Sequence, residues 1–337
     1  MQRAVVIDGF NEKDPESSLK LVMKPIPKAE PGQVVVHLTL RPVNPTDLVA
    51  IRSGRAARGI VGSATPGSEG FGIVHEVGEG VTKVQPGQRV VPFFTEAGKK
   101  GEGSWQQYVS VREDLVWPVP DTISDETAAQ FVINPWTVYG MLTDLQVPKG
   151  EYVLQTAAGS VLGRQVIQLA KHWGIKTINV VRRAEQKEEL LGLGADEVIC
   201  STEEDIVARV KAITGRKGAW GGLDCVGGEM TKKVCASVRW GGQVLVYGVL
   251  SSVDATVAIT DLFRGVHVTG WILYNFSPDP AKRQEYIENV AKLLEEKVIV
   301  PLEGEKFDLA DFKAAMNKTE EVGRGGKVLL TLSSCRL

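Results

Sequence analysis

Cysteine is scarce in this chain, and histidine equally so. The four cysteines (Cys200, Cys225, Cys235, Cys335) and the four histidines show no C-x-x-C or H-x-x-x-H spacing. That scatter argues against a disulfide framework and a structural zinc lobe, and it fits buried or surface thiols in a reducing compartment. No apolar run approaches the roughly 20 residues of a membrane-crossing helix, so no membrane partner is expected. Positive charge is not in excess either: 39 Lys and Arg against 41 Asp and Glu leave a net charge of −2. Such a balance gives no field to attract nucleic acid or anionic lipid. The opening residues, MQRAVVIDGF, lack a signal-peptide core. The expected location is the cytoplasm, or an organelle if a transit peptide once preceded residue 1.

What is present has the balance of a globular protein, with 43% hydrophobic and 24% charged residues in 337, a length that suggests two domains. Residues 1–120 read as short β-runs broken by turns. "PGQVVVHLTL" (31–40) and "PGQRVVPFF" (86–94) each place Pro-Gly before β-branched residues. "GFGIVHEVGEGV" (70–81) carries glycines inside a strand pattern, the mark of bulges or tight barrel corners. An antiparallel, partly open barrel is expected here.

From about 124 the rhythm becomes alternating strand and helix. Strands are expected at 151–157, 176–181, 196–200, 222–228, 241–248 and 266–273, with helices at 161–173, 184–194, 203–214 and 229–238. This alternation predicts an α/β doubly wound parallel sheet. Helices near 280–297 and 309–317 and a closing strand at 326–332 are expected to pack back on the first part. The expected domains are therefore 1–123 with 280–337, and 124–279.

"TAAGSVLGRQVIQLA" (156–170) stands where such a sheet binds a pyrophosphate, yet the G-x-G-x-x-G register reads Ala158, Ser160 and Gly163. Phosphate binding needs small residues and the free amides of a helix N-terminus. Ala158, Gly159 and Ser160 are small, and Gly163 suits close helix–strand packing; an ordinary tight turn is the competing reading. In an NAD site an acid stands about 20 residues beyond the glycine loop. Here Arg182 and Arg183 lie 19 and 20 residues past Gly163, with no acid until Glu185. Two guanidiniums suit a 2′-phosphate, which favours NADPH; a solvated arginine pair is the alternative.

These stretches, with "VNPTD" (43–47), "GSEGFGIVHEVGEGVTKVQPGQRVV" (67–91), "GSWQQYVSV" (103–111), "INPWTVYGML" (133–142), "LDCVGG" (223–228) and "LVYGVL" (245–250), resemble the medium-chain dehydrogenase/reductase superfamily over essentially the whole chain. The likeness is to its zinc-free quinone oxidoreductase and trans-2-enoyl-thioester reductase branch. It implies a Rossmann domain beside a GroES-like partly open β-barrel, and commonly a homodimer formed through the edge of the Rossmann sheet. It implies cofactor contacts at Asn44 and Thr137, at the loop Ala158, Gly159, Ser160, Val161, Leu162 and Gly163, and at Arg182 and Arg183. Val226 and Gly227 are placed by it near the ribose. Tyr247, Gly248 and Val249 fall along the nicotinamide, Trp271 and Leu273 beside the substrate, and Lys327 late in the chain near the cofactor.

Three departures shape the expectation. Zinc-dependent relatives have a catalytic Cys where this chain has Pro45 or Thr46, and His where it has Ser68 in Gly67-Ser68-Glu69; Glu69 is then expected to be a structural hydrogen-bonding residue. Enoyl-thioester reductases have a tyrosine after the 43–47 segment, and "SGRAARG" (53–59) has none, which leaves Asn44 and Tyr139 as the catalytic candidates. Val161 stands where the family loop usually has Gly, and a β-branched residue there is expected to limit positive φ and reshape the turn.

Without zinc ligands, holding an alkoxide is disfavoured, whereas a conjugated C=C accepts hydride at its β-carbon while a few donors hold the carbonyl oxygen. Arg52, Arg55 and Arg58 are candidates for gripping the substrate, or else solvated surface charge. Tyr139 is a proton-donor candidate, or packing with Trp136 and Leu142. The expected function is an NADPH-dependent reductase of enones, enals or 2-enoyl thioesters. The alternatives are a quinone reductase and a catalytically idle NADPH-binding protein.

Overall fold

The computed structural model describes residues 1–95, 97–273 and 279–332; Cys335 lies outside them. The chain divides into two compact units, one of residues 1–133, 283–295 and 301–337, the other of 134–282 and 296–300.

The first unit is built mainly of strands. In chain order they are β1 (Gln2–Ile7), β2 (Leu19–Lys24), β3 (Gln33–Pro42), β4 (Phe71–Val77), β5 (Arg89–Pro92), β6 (Tyr108–Arg112) and β7 (Val116–Pro118), with helices α1 (Pro45–Arg52) and α2 (Asp125–Ala129). Helix α3 (Ile133–Leu145) then leads into the second unit. There a parallel sheet comprises β8 (Tyr152–Gln155), β9 (Lys176–Val181), β10 (Glu197–Cys200), β11 (Ala219–Asp224), β12 (Val238–Val246) and β13 (His267–Gly270). Its helices are α4 (Val161–Trp173), α5 (Gln186–Leu193), α6 (Ile206–Ile213), α7 (Glu229–Ser237) and α8 (Ile259–Phe263). Helix α9 (Pro280–Glu295), β14 (Glu303–Asp308), helix α10 (Phe312–Glu320) and β15 (Lys327–Thr331) complete the described elements.

In the first unit the order β14-β15-β3-β4-β5-β7, with β6 also on β3, is antiparallel except for the parallel pair β14–β15. Inward residues of β3, β4, β5 and β6, among them Val34, Val36, Leu38, Val74, Val90 and Val109, form one core. A second core joins Val5, Ile7 and Trp105 to Leu330 and to Met316 of α10. The glycines inside the 70–81 pattern have the expected structural reason. The β3–β4 register shifts between Leu38 and Leu40, and a Cβ at Gly72 would lie 2.2 Å from the His37 carbonyl oxygen.

In the second unit the sheet order is β10-β9-β8-β11-β12-β13, all parallel. This is the doubly wound arrangement in which strand order reverses beside β8, and ligands of such sheets bind outside the carboxyl ends of the strands. Leu154, Ile178, Val180, Ile199, Val234 and Val244 pack its core. Helix α4 covers its expected residues, with Val166, Ile167, Leu169 and Ala170 buried. The strand expected at 222–228 instead runs Ala219–Asp224, because Gly227 and Gly228 take φ of +82° and +57° and turn the chain away.

Gly72→Ala has to push a methyl into backbone, an overpacking that costs about 1–3 kcal/mol. We expect its thermal midpoint to fall by several degrees in a melting scan. Gly98→Ala, at a position with open space around it, should leave the midpoint unchanged.

Candidate active site

The residues expected at the site fall into two groups, one in each unit. The larger group lies along the carboxyl edge of the parallel sheet. There β8 runs into the 156–163 loop, β9 into Arg182 and Arg183, β11 into Val226 and Gly227, β12 into Tyr247, Gly248 and Val249, and β13 into Trp271 and Leu273.

Thr156 donates its amide to the Leu223 carbonyl (3.0 Å) and Ala158 to Val180 (3.1 Å), so the loop is laced to both neighbouring strands. Ser160 is the N-cap of α4, its hydroxyl accepting the Gly163 amide at 3.0 Å. The amides of Val161 and Leu162 stand in the first turn, where helix geometry leaves them no intrahelical acceptor and the helix dipole favours an anion. The expectation for Val161 requires correction. Because Ser160 already caps the helix, Val161 is its first residue and needs no positive φ. The loop takes that conformation at Ala157 instead (φ +48°), a left-handed residue that costs an alanine about 1–2 kcal/mol.

Gly163 meets backbone where a side chain would stand, and Gly159 meets the end of a neighbouring side chain. A Cβ at Gly163 would stand 2.6 Å from the Ala158 carbonyl oxygen, and one at Gly159 would stand 2.0 Å from the Gln186 amide nitrogen. Gln186 therefore reaches over the loop from the start of α5. Arg164 is there too, donating to the Gly159 carbonyl (3.3 Å) and pairing with Glu189 (2.7 Å). Neither residue was anticipated, although Gln186 follows the arginine pair by only a few positions. Arg182 and Arg183 are exposed, and neither pairs with an acid among the described residues. A capped helix terminus, a cradle that a Cβ would fill and two unneutralised guanidiniums fit a dinucleotide with a 2′-phosphate.

Further along this edge, the Tyr247 phenol is buried against the Cys225 thiol. Burial first, then Cys225 and Asp224, hold it well above the ordinary phenol range, so it stays protonated. Burial likewise pushes Cys225 up to about 11. Trp271 is buried and donates its indole N–H to Asp144 at 2.7 Å; Leu273 is buried as well. Thr137, on α3, is also buried. Tyr139 is not brought to the loop. Its ring packs edge-on against Trp173 at 5.9 Å, at the opposite end of α4 from Ser160, about 20 Å along the helix axis at about 1.5 Å per residue. The packing reading of Tyr139 is the one its position supports.

The second group is a buried polar cluster in the first unit, around Asn44 and Lys327. Asn44 precedes α1. Its amide oxygen accepts from Lys327 Nζ at 2.5 Å, and its amide nitrogen donates to Glu69 Oε1 at 2.9 Å. The other Glu69 oxygen accepts the backbone amides of Val132 (3.2 Å) and Ile133 (2.8 Å) at the start of α3. Asp47 accepts the Asn44 amide (2.9 Å) and the Ser68 hydroxyl (2.5 Å). Glu69 is thus a structural acceptor, and Asn44 is pinned in one orientation by a donor on one side and an acceptor on the other. Burial pushes Glu69 up to about 7 against the pull of Lys327, and Asp47 up to about 6. Burial pulls Lys327 down to about 8 against Glu69. Of the three arginines considered for substrate, Arg52 is held by Glu16 (2.7 Å) and Glu320 (2.5 Å), whereas Arg55 and Arg58 are exposed.

Residues 30–121 match the alcohol dehydrogenase GroES-like domain family, and residues 161–296 match the zinc-binding dehydrogenase family. A Caenorhabditis elegans protein named mitochondrial enoyl-[acyl-carrier-protein] reductase is 33% identical, over 94% of this chain and 91% of its own. A putative NADPH:quinone reductase from Bacillus thuringiensis superposes with a TM-score of 0.89 at 32% identity, over 98% of this chain and 99% of that one. Escherichia coli quinone oxidoreductase, solved with NADPH, gives 0.85 at 26% identity, over 98% and 99%. The chain belongs to the medium-chain dehydrogenase/reductase superfamily. Within it, the chain falls in the zinc-free branch of enoyl-thioester reductases and quinone oxidoreductases, in keeping with Ser68 and Pro45-Thr46 at the positions of the zinc ligands.

The buried cluster yields a prediction about pH. A carboxyl raised in the folded state binds its proton more tightly there than in the unfolded chain, so stability falls as pH rises from the unfolded to the folded value. For Glu69 that window runs from 4.5 to about 7, and for Asp47 from 3.8 to about 6. Lys327 works oppositely, and stability recovers between about 8 and 10.5. Denaturation measured from pH 4 to 10 should therefore show a minimum between pH 7 and 8, with Glu69→Gln flattening the fall on its acid side.

Proposed function

We propose that this protein is an NADPH-dependent reductase of activated C=C bonds, acting on 2-enoyl thioesters or α,β-unsaturated carbonyls without a metal. The observation that carries the cofactor is the exposed pair Arg182 and Arg183, free of acids, at the tip of the strand that follows the capped loop. The class of reaction is supported by the family, in particular by the relative named as an enoyl reductase. When bound, NADPH supplies the hydride that adds to the β-carbon. The Val161 and Leu162 amides, with Ser160 and Gly159, hold the pyrophosphate, and the two arginines fork onto the 2′-phosphate. Val226, Gly227 and the 247–249 segment bound the ribose and nicotinamide, with Thr137, Trp271 and Leu273 around them. Asn44 is fixed in one orientation between Glu69 and Lys327, and a cofactor role for it is supported by the family resemblance. The proton for the α-carbon comes from water, because Tyr139 packs on Trp173 and Tyr247 is buried against Cys225. Cofactor binding belongs to residues 124–279.

Quinone reduction is the second reading, favoured by the likeness to the B. thuringiensis and E. coli structures. An assay of NADPH oxidation with a crotonyl thioester, an α,β-unsaturated ketone and a quinone separates the readings. We expect turnover of the thioester or the ketone. Arg182→Asp should raise the KM for NADPH about tenfold, the equivalent of roughly 1.4 kcal/mol, and leave NADH rates unchanged. NADPH binding without turnover of any substrate would point to an idle binding protein, and a preference for NADH would overturn the reading of the arginines.

The protein is a homodimer in this account. Strand β13 pairs only with β12 along the described sheet, leaving an open edge. Near it in the chain, Leu250, Val253, Ile259, Leu262, Phe263 and Ile272 are exposed apolar residues, an arrangement that suits a second copy of the same edge. Light scattering should return twice the chain mass, and Phe263→Asp should return the monomer. Cys200, Cys225 and Cys235 are free and buried, which fits a reducing compartment, cytoplasm or organelle. No helix among the described residues is long and apolar enough to cross a membrane.

A further inference from the structure

At the carboxyl end of β11 stands a fully buried carboxylate, Asp224, that none of the roles above uses. Its oxygens accept four hydrogen bonds. Oδ1 takes the Thr156 hydroxyl at 2.9 Å and the Val226 amide at 3.0 Å, and Oδ2 takes the Thr231 hydroxyl at 2.7 Å and the Gly227 amide at 3.3 Å. These are as many as an ionised carboxylate ordinarily accommodates. No cation pairs with Asp224 among the described residues, so the four donors alone offset the cost of burying it.

The donors come from separate parts of the cofactor edge. Thr156 opens the loop that leads to Ser160. Val226 and Gly227 form the turn after β11, where a Cβ on Gly227 would stand 2.4 Å from the Ser252 carbonyl oxygen. Thr231 lies in the first turn of α7. The Thr156 hydroxyl also accepts the Cys225 amide at 3.1 Å, so the contact is reciprocal. A third segment hangs on this turn: Tyr247 donates its amide to the Asp224 carbonyl (2.8 Å), Leu250 to Cys225 (2.9 Å), and Ser251 and Ser252 to Val226 (2.9 and 3.2 Å). The carboxylate thereby ties the loop assigned to pyrophosphate to the turn assigned to ribose, and the backbone carbonyls of that same turn carry the segment assigned to nicotinamide.

We propose that Asp224 is the positioning residue of the cofactor edge, setting the spacing of the 156–163 loop, the 226–227 turn and the 247–252 segment, and so the affinity for the dinucleotide. The carboxylate gives four donors a fixed geometry at once, and an apolar side chain in its place would leave all four without this acceptor. The proposal rests on the reading of this edge as an NADPH site, and its effect does not depend on the 2′-phosphate.

The test is titration of the full-length protein with NADPH and with NADH, without substrate, followed by calorimetry or tryptophan fluorescence. Thr231→Val keeps the shape and removes one donor, Thr231→Ser keeps the donor, and Asp224→Asn removes acceptor capacity. We expect Thr231→Val and Asp224→Asn to raise the Kd for both nucleotides about tenfold, with Thr231→Ser near the parent value. Thr231→Val suffices if Asp224→Asn does not fold. Parent-like Kd values in Thr231→Val, with only a lowered thermal midpoint, would overturn the proposal and leave the NADPH reading intact. A parent protein that binds neither nucleotide would overturn both.

Discussion

The cofactor edge depends on how closely α4 can approach the end of β8. Gly163 lies against the Ala158 carbonyl, closer than any side chain would permit. That contact brings the first turn of α4 and its unsatisfied amides up to the strand end. Ser160 caps the helix there, Ala157 absorbs the left-handed conformation, and Gln186 closes over Gly159. The absent side chain at Gly163 thus sets how near those amides stand to the strand end, and the exposed arginine pair follows the next strand.

The first unit is governed by a different constraint. Asn44, Asp47, Glu69 and Lys327 are all buried, and each polar group finds a partner within the cluster or in the backbone amides of Val132 and Ile133. Desolvation moves the ionisable members toward neutrality from both sides, the carboxyls upward and the lysine downward. Glu69, next to Ser68, accepts hydrogen bonds from the Asn44 side chain and from the Val132 and Ile133 amides.

Much of this was legible in the sequence, and the reasons differ by element. Helix α4 and strand β9 could be read to the residue, because an apolar stripe of helical period and a β-branched run have sharp ends. Strand β11 could not, since "GLDCVGG" looks continuous until the positive φ of Gly227 and Gly228 is known. The small residues of the loop and the start of α4 at 161 were legible, but Val161 was misjudged because the positive φ falls at Ala157, which nothing in the sequence marks. Tyr139 had helical spacing from its neighbours, while its partner Trp173 is far off in sequence. Gln186, Arg164 and Asp224 were missed for the same reason: their partners are brought near only by tertiary structure, and single-sequence patterns do not carry such pairings.

The central claim is that hydride passes from NADPH to the β-carbon of an activated double bond without a metal. It is tested most directly by running the reaction with NADPH deuterated at nicotinamide C4, separately on each face, after dialysis against a chelator, and locating the label in the reduced thioester or ketone by NMR. The account predicts full activity after chelation, with deuterium from one face of the cofactor at the β-carbon and a solvent-derived proton at the α-carbon. Label at the α-carbon or the carbonyl carbon, or activity that vanishes with the chelator and returns with zinc, would contradict it.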